Sequence, residues 1–169
     1  PQQVTTRNAI NASPVVNTDV YNRRRLLVGG SATIAGTFNW ALGYGYDARG
    51  VMASIQYPSG LSVDLAPNGL GQITRVGGFA LGVSYHPNGG MRAFNYGNGI
   101  VHGMTQNARQ LPGRVTDSAG VLDNVYSYDG GGNVSGIEDV LDAGRNRTMQ
   151  YDDLDRLTRA SSAKFGGDG

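Results

Sequence analysis

A short outline recurs about every twenty residues along this chain, and it constrains the fold more than any other feature. In its clearest copy, Tyr151–Thr158, an aromatic residue and an acidic turn-former precede a small or polar turn position and an apolar β-former. Copies begin at positions 46, 67, 85, 105, 128 and 151, so the steps between them are 21, 18, 20, 23 and 23 residues. A near-constant period of this length predicts a repeat architecture, in which neighbouring units pack on each other.

Each repeat is predicted to be a β-hairpin. Apolar and polar residues alternate from Phe38 to Tyr46, as in a half-buried strand, and Met52 to Tyr57 gives the return strand. Asp at the turn bonds its own backbone two residues on, and Gly accepts positive φ. The sequence therefore predicts an all-β fold of roughly ten to twelve short strands, with no helix beyond a turn. These consecutive antiparallel hairpins are expected to form one extended, curved or spiralling sheet.

The tyrosines at the turns have a predicted structural role. We expect each ring to pack on the neighbouring hairpin, while its hydroxyl reaches water or a turn carbonyl. Three segments are expected: a polar lead-in or linker over 1–19, the repeat sheet over 20–160, and a Gly-rich tail or the start of a next segment over 161–169. The beginning at Pro1 and the Gly-rich end are typical of a piece of a longer protein.

Composition excludes several classes of function. The net charge of +1 gives no electrostatic footprint for nucleic acid, and no apolar run is long enough for a transmembrane helix. The chain has no cysteine, so it has no disulfide, thiolate zinc site or Cys nucleophile. Glycine is abundant, with 27 of 169 residues, but lacks the every-third spacing of collagen and is interpreted as turn positions.

Titratable residues form no predicted catalytic or metal site. His86 and His102 lack the spacing of a zinc motif, and His86 occupies the Asp position of its repeat. Four further candidates were each weighed against a structural role. A calcium loop would use Asp152, Asp153 and Asp155, and a glycosidase pair would come from Glu138, Asp139 and Asp142. A basic nucleic-acid patch would use Arg23, Arg24 and Arg25, and a dinucleotide fingerprint would use Gly43, Gly45 and Ala48. Turn formation and a solvated surface explain them better, so we predict no enzyme activity, no catalytic, cofactor-binding or metal-binding residues, and no cofactor.

The spaced copies resemble the YD repeats of the bacterial RHS (rearrangement hot spot) family. Tyr46–Met52 and Tyr151–Thr158 carry the pattern best, and Val20–Leu26, Gln56–Leu61 and Asn68–Thr74 are similar to stretches of such proteins. The resemblance covers about residues 20–160. It departs from the family where Pro67 and Thr105 replace Tyr, and where Arg109 and Asp155 replace Gly.

The resemblance implies a structural function in a secreted or cell-surface bacterial protein. In that family, such repeats form a β-sheet that spirals into a hollow shell around a C-terminal toxin, in type VI effectors and in the toxin-complex proteins of insect pathogens. Six units are too few to close a shell, and the chain ends before the self-cleaving core segment and contains no toxin domain. The implied partners are flanking repeats and a toxin domain of the same polypeptide, with no nucleic acid and no membrane insertion.

Two alternatives remain open from the sequence. Tyr-rich strands on an exposed face could bind carbohydrate or a cell surface; in that case Tyr46, Tyr85, Tyr128 and Tyr151 should line a groove. The open sheet edges could also make the chain a self-associating extracellular scaffold. We expect the edges to pair with another copy or with flanking repeats.

Overall fold

The computed structural model describes residues 2–6, 14–34 and 37–164. This part of the chain contains fifteen strands and one 3₁₀ turn, Ala143–Arg145. None of its residues belongs to a helix that could cross a membrane. The strands are β1 (Gln2–Thr6), β2 (Val15–Tyr21), β3 (Leu27–Ile34), β4 (Phe38–Tyr46), β5 (Met52–Gln56), β6 (Ser62–Asp64), β7 (Arg75–Val76), β8 (Ala80–Tyr85), β9 (Met91–Tyr96), β10 (Val101–Gln106), β11 (Pro112–Asp117), β12 (Leu122–Tyr128), β13 (Val134–Asp139), β14 (Arg147–Tyr151) and β15 (Leu157–Ser162).

The strands follow one another as antiparallel hairpins, which confirms the predicted fold class. The chain divides into two compact units, 1–81 and 82–169, and the division falls within β8. One sheet has the order β1 to β6 and the other the order β15 to β7, so strands adjacent in sequence are adjacent in each sheet. Fifteen strands exceed the expected ten to twelve, partly because hairpins also form before Tyr46.

The strand pairing is interrupted between β6 and β7, so the hairpins form two sheets where the sequence predicts one continuous sheet. The Leu65 carbonyl accepts hydrogen bonds from the N–H groups of Thr74 and Arg75, each at 3.2 Å, and Gly77 N–H donates to Asp64 at 2.8 Å. These hydrogen bonds close the loop between β6 and β7, where regular strand pairing is absent. Strand β2 begins at Val15, inside the segment that was expected to be a lead-in, and the domain boundaries stay a prediction.

One sheet face of the first unit is apolar, as alternation requires. Register places Ala32 beside Trp40, and Tyr44 beside Ile55, which in turn lies beside Val63. Among the described residues, the only buried hydrophobic side chains are those of Val63 and Leu65. Trp40 is 40% exposed. The described strands therefore depend on ladder hydrogen bonds and cross-strand pairs more than on a core.

A β-bulge precedes many of the turns. In five hairpins the register shifts at the last residue before the turn. A bulge bends the strand and re-aims the side chain at that point. The re-aimed residues are Tyr21, Tyr46, Gln106, Tyr128 and Tyr151.

Candidate functional site

Nine turns of the described chain share the same backbone hydrogen bonds. Two of them, which start at Tyr57 and Tyr96, lie at the opposite ends of their hairpins from the other seven. We call the first residue of each of these seven turns the turn residue. Its N–H donates to the carbonyl four residues later, and its carbonyl accepts from the N–H three residues later. The turn residues are Asn22, Asp47, Asn68, His86, Asn107, Asp129 and Asp152.

Side chains close these turns through a second set of bonds. Asp47 Oδ1 accepts from the N–H groups of Arg49 and Val51, each at 2.9 Å. Each Asp or Asn turn residue likewise accepts two backbone N–H bonds, as an Asx turn does. His86 is the exception: Asn88 caps that turn, and His86 Nε2 lies 2.9 Å from the Met104 carbonyl oxygen.

The same bonds lower the pKa values of the aspartate turn residues. The main cause is the Val51 N–H for the pKa of Asp47, and the Asn133 side chain for the pKa of Asp129. For Asp152, the Arg156 guanidinium is the largest cause of the lowered pKa. The folded state therefore favours the ionised form of all three carboxyl groups.

We expect acid to destabilise the chain through these turns. Each folded-state pKa lies below the unfolded value of about 3.9, so the stabilisation is fully present above that value and is lost as the pH falls through the folded-state pKa. The free energy of unfolding should be flat from about pH 7 to 5 and fall below about pH 4, measured by urea titration with circular dichroism. Replacing Asp47, Asp129 and Asp152 together by Asn keeps the Oδ1 acceptor and should reduce the fall. An unchanged fall in that variant would contradict the assignment.

Three tyrosine hydroxyls each connect a hairpin to the one before it. Tyr46 donates to the carbonyl of Leu27 at 2.7 Å, at the start of β3, the strand that follows the preceding turn. Tyr128 donates to Pro112 at 2.8 Å, and Tyr151 donates to Val134 at 3.0 Å. Each acceptor lies five residues after the preceding turn residue. The three hydroxyls therefore reach backbone carbonyls, but each acceptor is the first residue of a strand and not, as was expected, a residue of the turn.

Arginines join neighbouring turns directly. Arg24 Nη1 donates to the Ala48 carbonyl at 3.0 Å. Arg49 donates to Asn68 at 2.7 Å and to Gly69 at 2.8 Å. Arg109 does the same in the second unit, reaching the carbonyls of Asp129 at 2.9 Å and Gly130 at 3.3 Å. All three arginines stand two residues after a turn residue. We call these bridges, together with the tyrosine bonds, the turn ladder.

The structure corrects two details of the repeat assignment. The residue before the turn in the fourth copy is Gln106 instead of Thr105, and the positive-φ residue is Gln110 (φ 63°) instead of Arg109. A seventh unit, with Tyr21 and turn residue Asn22, was not counted. The sequence contains this unit in altered form. Asn22 stands at the position of Asp, and Arg25, with a φ of 62°, stands at the position of Gly.

Solved structures that resemble this chain are those of toxin-complex proteins. Similarity to a chain of the Photorhabdus luminescens Tc holotoxin pore has a TM-score of 0.75, at 16% identity over 89% of this chain. A structure of TcdB2-TccC3 gives 0.76 at 16% identity over 90%, and one of TcdB2-TccC3-Cdc42 gives 0.75 at 15% identity over 89%. This chain spans 9% of the length of each of those chains. No protein-family model and no curated protein matches the sequence.

The fold is RHS-like. The sequence identity is low, so the likeness shows the fold alone. The turn ladder described above is this chain's own means of holding the RHS-like hairpins in register, since it is formed by side chains of residues 24–151.

The acidic candidates take structural roles in the RHS-like fold. Asp152 Oδ1 accepts hydrogen bonds from the N–H groups of Leu154 and Arg156. Its Oδ2 forms an ion pair with the Arg156 guanidinium at 2.7 Å. Asp155 Oδ1 accepts from Asn133 Nδ2 at 2.8 Å, which links two neighbouring turns. Asp153 follows the turn residue directly. Turn capping by Asp152 is thus confirmed.

The second acidic group lies around the 3₁₀ turn. Asp139 Oδ1 accepts from the N–H groups of Leu141 and Asp142. Asp142 caps the turn and pairs with Arg145 at 3.2 Å and Lys164 at 2.7 Å. Both carboxylates therefore have structural partners, and Glu138 is the residue before Asp139 in β13. Among the described residues, no group of three His, Asp or Glu side chains is placed to hold a metal.

The other candidates lie in separate parts of the repeat. His102 Nδ1 is 2.7 Å from Asp117 Oδ1, and its ring stacks on Phe94 with 4.7 Å between ring centroids. These three residues are cross-strand neighbours on β9, β10 and β11. They form a stabilising cluster, completed by Tyr96 against Phe94 at 4.6 Å. Of the basic run, Arg24 is used in the turn ladder.

Gly43 and Gly45 belong to β4 and precede a turn, not a helix. A side chain at Gly45 would collide with the Ser54 hydroxyl, so close strand pairing explains this glycine. The dinucleotide fingerprint requires a helix after the glycines, and none follows.

Proposed function

We propose that this chain is a structural repeat segment of a larger bacterial RHS-type protein that is secreted or displayed at the cell surface. It builds part of the wall of a β-shell that encloses or presents a C-terminal toxin. Its own residues hold the wall in register and carry out no reaction.

The observation that carries the proposal is the use of the tyrosines. A binding surface would present their hydroxyls to a ligand. Those of Tyr46, Tyr128 and Tyr151 instead donate to backbone carbonyls of the preceding hairpin. Burial raises the pKa of Tyr128, as expected for a packed ring. This arrangement favours the wall over carbohydrate binding.

The exposed faces also suit a wall. Phe38 is 50% exposed and Trp40 is 40% exposed on the apolar face of the first unit. An isolated domain normally covers such a face with a second layer. A wall can present one face to an enclosed polypeptide, and the similarity to 9% of each toxin-complex chain is consistent with a small part of a larger container.

The test uses the full-length polypeptide that contains this stretch. We expect limited proteolysis to leave its C-terminal region intact while the wall is intact, with fragments identified by mass spectrometry. The variant Tyr46→Phe, Tyr128→Phe, Tyr151→Phe weakens the wall and should raise the cleavage rate of that region roughly tenfold or more.

The matched control replaces Tyr21, Tyr57 and Tyr96 by Phe, because these exposed tyrosines lie outside the turn ladder. It should leave protection unchanged. The proposal fails if the C-terminal region of the unaltered protein is digested as fast as an unfolded reference, or if both triple variants behave alike.

A further inference from the structure

One buried polar side chain of the second unit has no hydrogen-bond partner among the described residues. Asn124, in β12, is 8% exposed, and its side-chain amide bonds to none of them. Its cross-strand neighbours are Val115, which is apolar, and Asp139, whose Oδ1 accepts from two backbone N–H groups. A buried amide without a partner costs free energy, so this position indicates a group that comes from outside the described residues.

Asn124 lies on a mainly apolar face of the sheet. Strand register assigns Phe94, Met104, Val115, Leu122, Tyr126 and Ile137 to this face. The opposite face is polar, and the Arg114 guanidinium pairs there with the Asp123 carboxylate at 2.6 Å. Polar groups are therefore exceptional on the face that contains Asn124.

A carboxylate of the neighbouring strand β11 is only partly used on the same face. His102 Nδ1 lies 2.7 Å from Asp117 Oδ1, and the two side chains are 17% and 14% exposed. Asp117 Oδ2 has no hydrogen-bond partner within the described part of the chain. Asp117 pairs with Leu122, two positions before Asn124, so the carboxylate and the amide are diagonal neighbours with Cβ atoms about 7 Å apart.

Both unpaired groups can be reached from solvent. Of the described side chains, the only fully enclosed polar atom without a partner is Ser162 Oγ. The amide of Asn124 and Oδ2 of Asp117 therefore keep some accessible surface, and an incoming group can contact them without rearrangement of the strands.

Aromatic rings border the same place. The Phe94 ring stacks on His102, with 4.7 Å between ring centroids. Tyr96 meets both rings edge-on, at 4.6 Å from Phe94 and 6.3 Å from His102. Planar cations pack favourably on such rings. The face thus offers a carboxylate oxygen, an amide and aromatic surface side by side.

We propose that Asp117, Asn124 and the adjoining aromatic rings bind an arginine side chain. The guanidinium group is planar and carries five N–H donors, so it donates to Asp117 Oδ2 and to Asn124 Oδ1 while it packs on the rings. The Asn124 N–H groups then donate to a backbone carbonyl of the same ligand. The inference rests on the proposed function in one respect: the arginine belongs to the polypeptide that this face of the wall contacts.

The binding experiment titrates the whole, isotope-labelled 169-residue chain with N-acetyl-arginine amide and follows it by NMR. Backbone signals near positions 94–96, 102, 117 and 124 should shift saturably. N-acetyl-citrulline amide has nearly the same shape but no charge, and it should bind about fivefold more weakly. N-acetyl-lysine amide should also bind more weakly, because an ammonium group lacks the planar arrangement of donors.

Asn124→Leu separates ligand binding from packing. It removes the unpaired amide, so it should raise the urea midpoint of the free chain while it weakens binding of N-acetyl-arginine amide about tenfold. The matched control is Asp123→Asn, one residue away in β12, because the Asp123 carboxylate lies on the opposite face with Arg114. This control should leave the affinity unchanged.

Three results would overturn the inference. The first is an absence of saturable shifts at these positions. The second is equal affinity for the arginine and citrulline compounds. The third is a lower urea midpoint for Asn124→Leu, which would show that the amide already has a partner in the free chain. None of these depends on protection of the C-terminal region in the full-length protein, so failure here and failure of the proposed function are distinguishable.

Discussion

Replacing Tyr46, Tyr128 and Tyr151 together by phenylalanine should lower the free energy of unfolding by about 3 kcal/mol. Each substitution keeps the ring and removes one hydroxyl-to-carbonyl bond, which contributes about 1 kcal/mol. The three bonds have different partners in different hairpins, so their effects should add. Urea unfolding followed by circular dichroism measures the change, and an unchanged m-value shows that the folded and unfolded states are otherwise the same.

The control for this prediction is the triple change of Tyr21, Tyr57 and Tyr96 to phenylalanine. These residues are 47%, 40% and 36% exposed, and their hydroxyls have no hydrogen-bond partner among the described residues. Their replacement should change stability by less than about 0.5 kcal/mol. If the two units unfold separately, residues 82–169 should lose about 2 kcal/mol and residues 1–81 about 1 kcal/mol. Equal losses in both triple variants would refute the role of the hydroxyls.

The second large effect is expected at Gly50. Its φ is +88°, a region that a β-branched residue adopts only with strain, and an added Cβ would lie 2.9 Å from Arg24 Nη2. Gly50→Val should therefore cost about 2 kcal/mol for the backbone and about 1 kcal/mol more for displacing the Arg24 bridge to Ala48. Thermal and urea unfolding would both detect this loss.

Gly60 provides the comparison that separates these two causes. Its φ is +83°, nearly the same, but an added Cβ would have no neighbour within 4 Å. Gly60→Val should cost only the backbone term of about 2 kcal/mol. In the Arg24→Ala background, the two valine substitutions should become equal. A difference that persists without Arg24 would show that the bridge does not explain the greater sensitivity of Gly50.

The hairpin fold could be predicted because turn chemistry is local. Asp47 and Gly50 stand three residues apart and close one turn by themselves, so a single copy of the outline identifies a turn. Repetition at a steady period then predicts which strands are neighbours. The seventh unit at Asn22 was missed because the chemistry tolerates substitution: Asn offers the same Oδ1 acceptor as Asp, and Arg25 accepts the positive φ expected of glycine.

The arginine bridges of the turn ladder could not be predicted because they join residues about twenty positions apart. Arg49 is an ordinary polar turn residue in the sequence, and only strand register brings it to Asn68 and Gly69. Register in turn depends on the bulge before the turn, which has no clear sequence signature. The same shift explains why Gln106, and not Thr105, stands in the tyrosine position.

The turns have a fixed length, and this restricts where the chain can change in evolution or by engineering. Successive turn residues are 25, 21, 18, 21, 22 and 23 positions apart, although each turn closes over the same four-residue step. The variation is therefore taken up by the strands and by the connections at the other ends of the hairpins, such as 140–146. Those connections are the places where a foreign peptide could be grafted with least disturbance, and whole hairpins are the natural units for duplication or deletion.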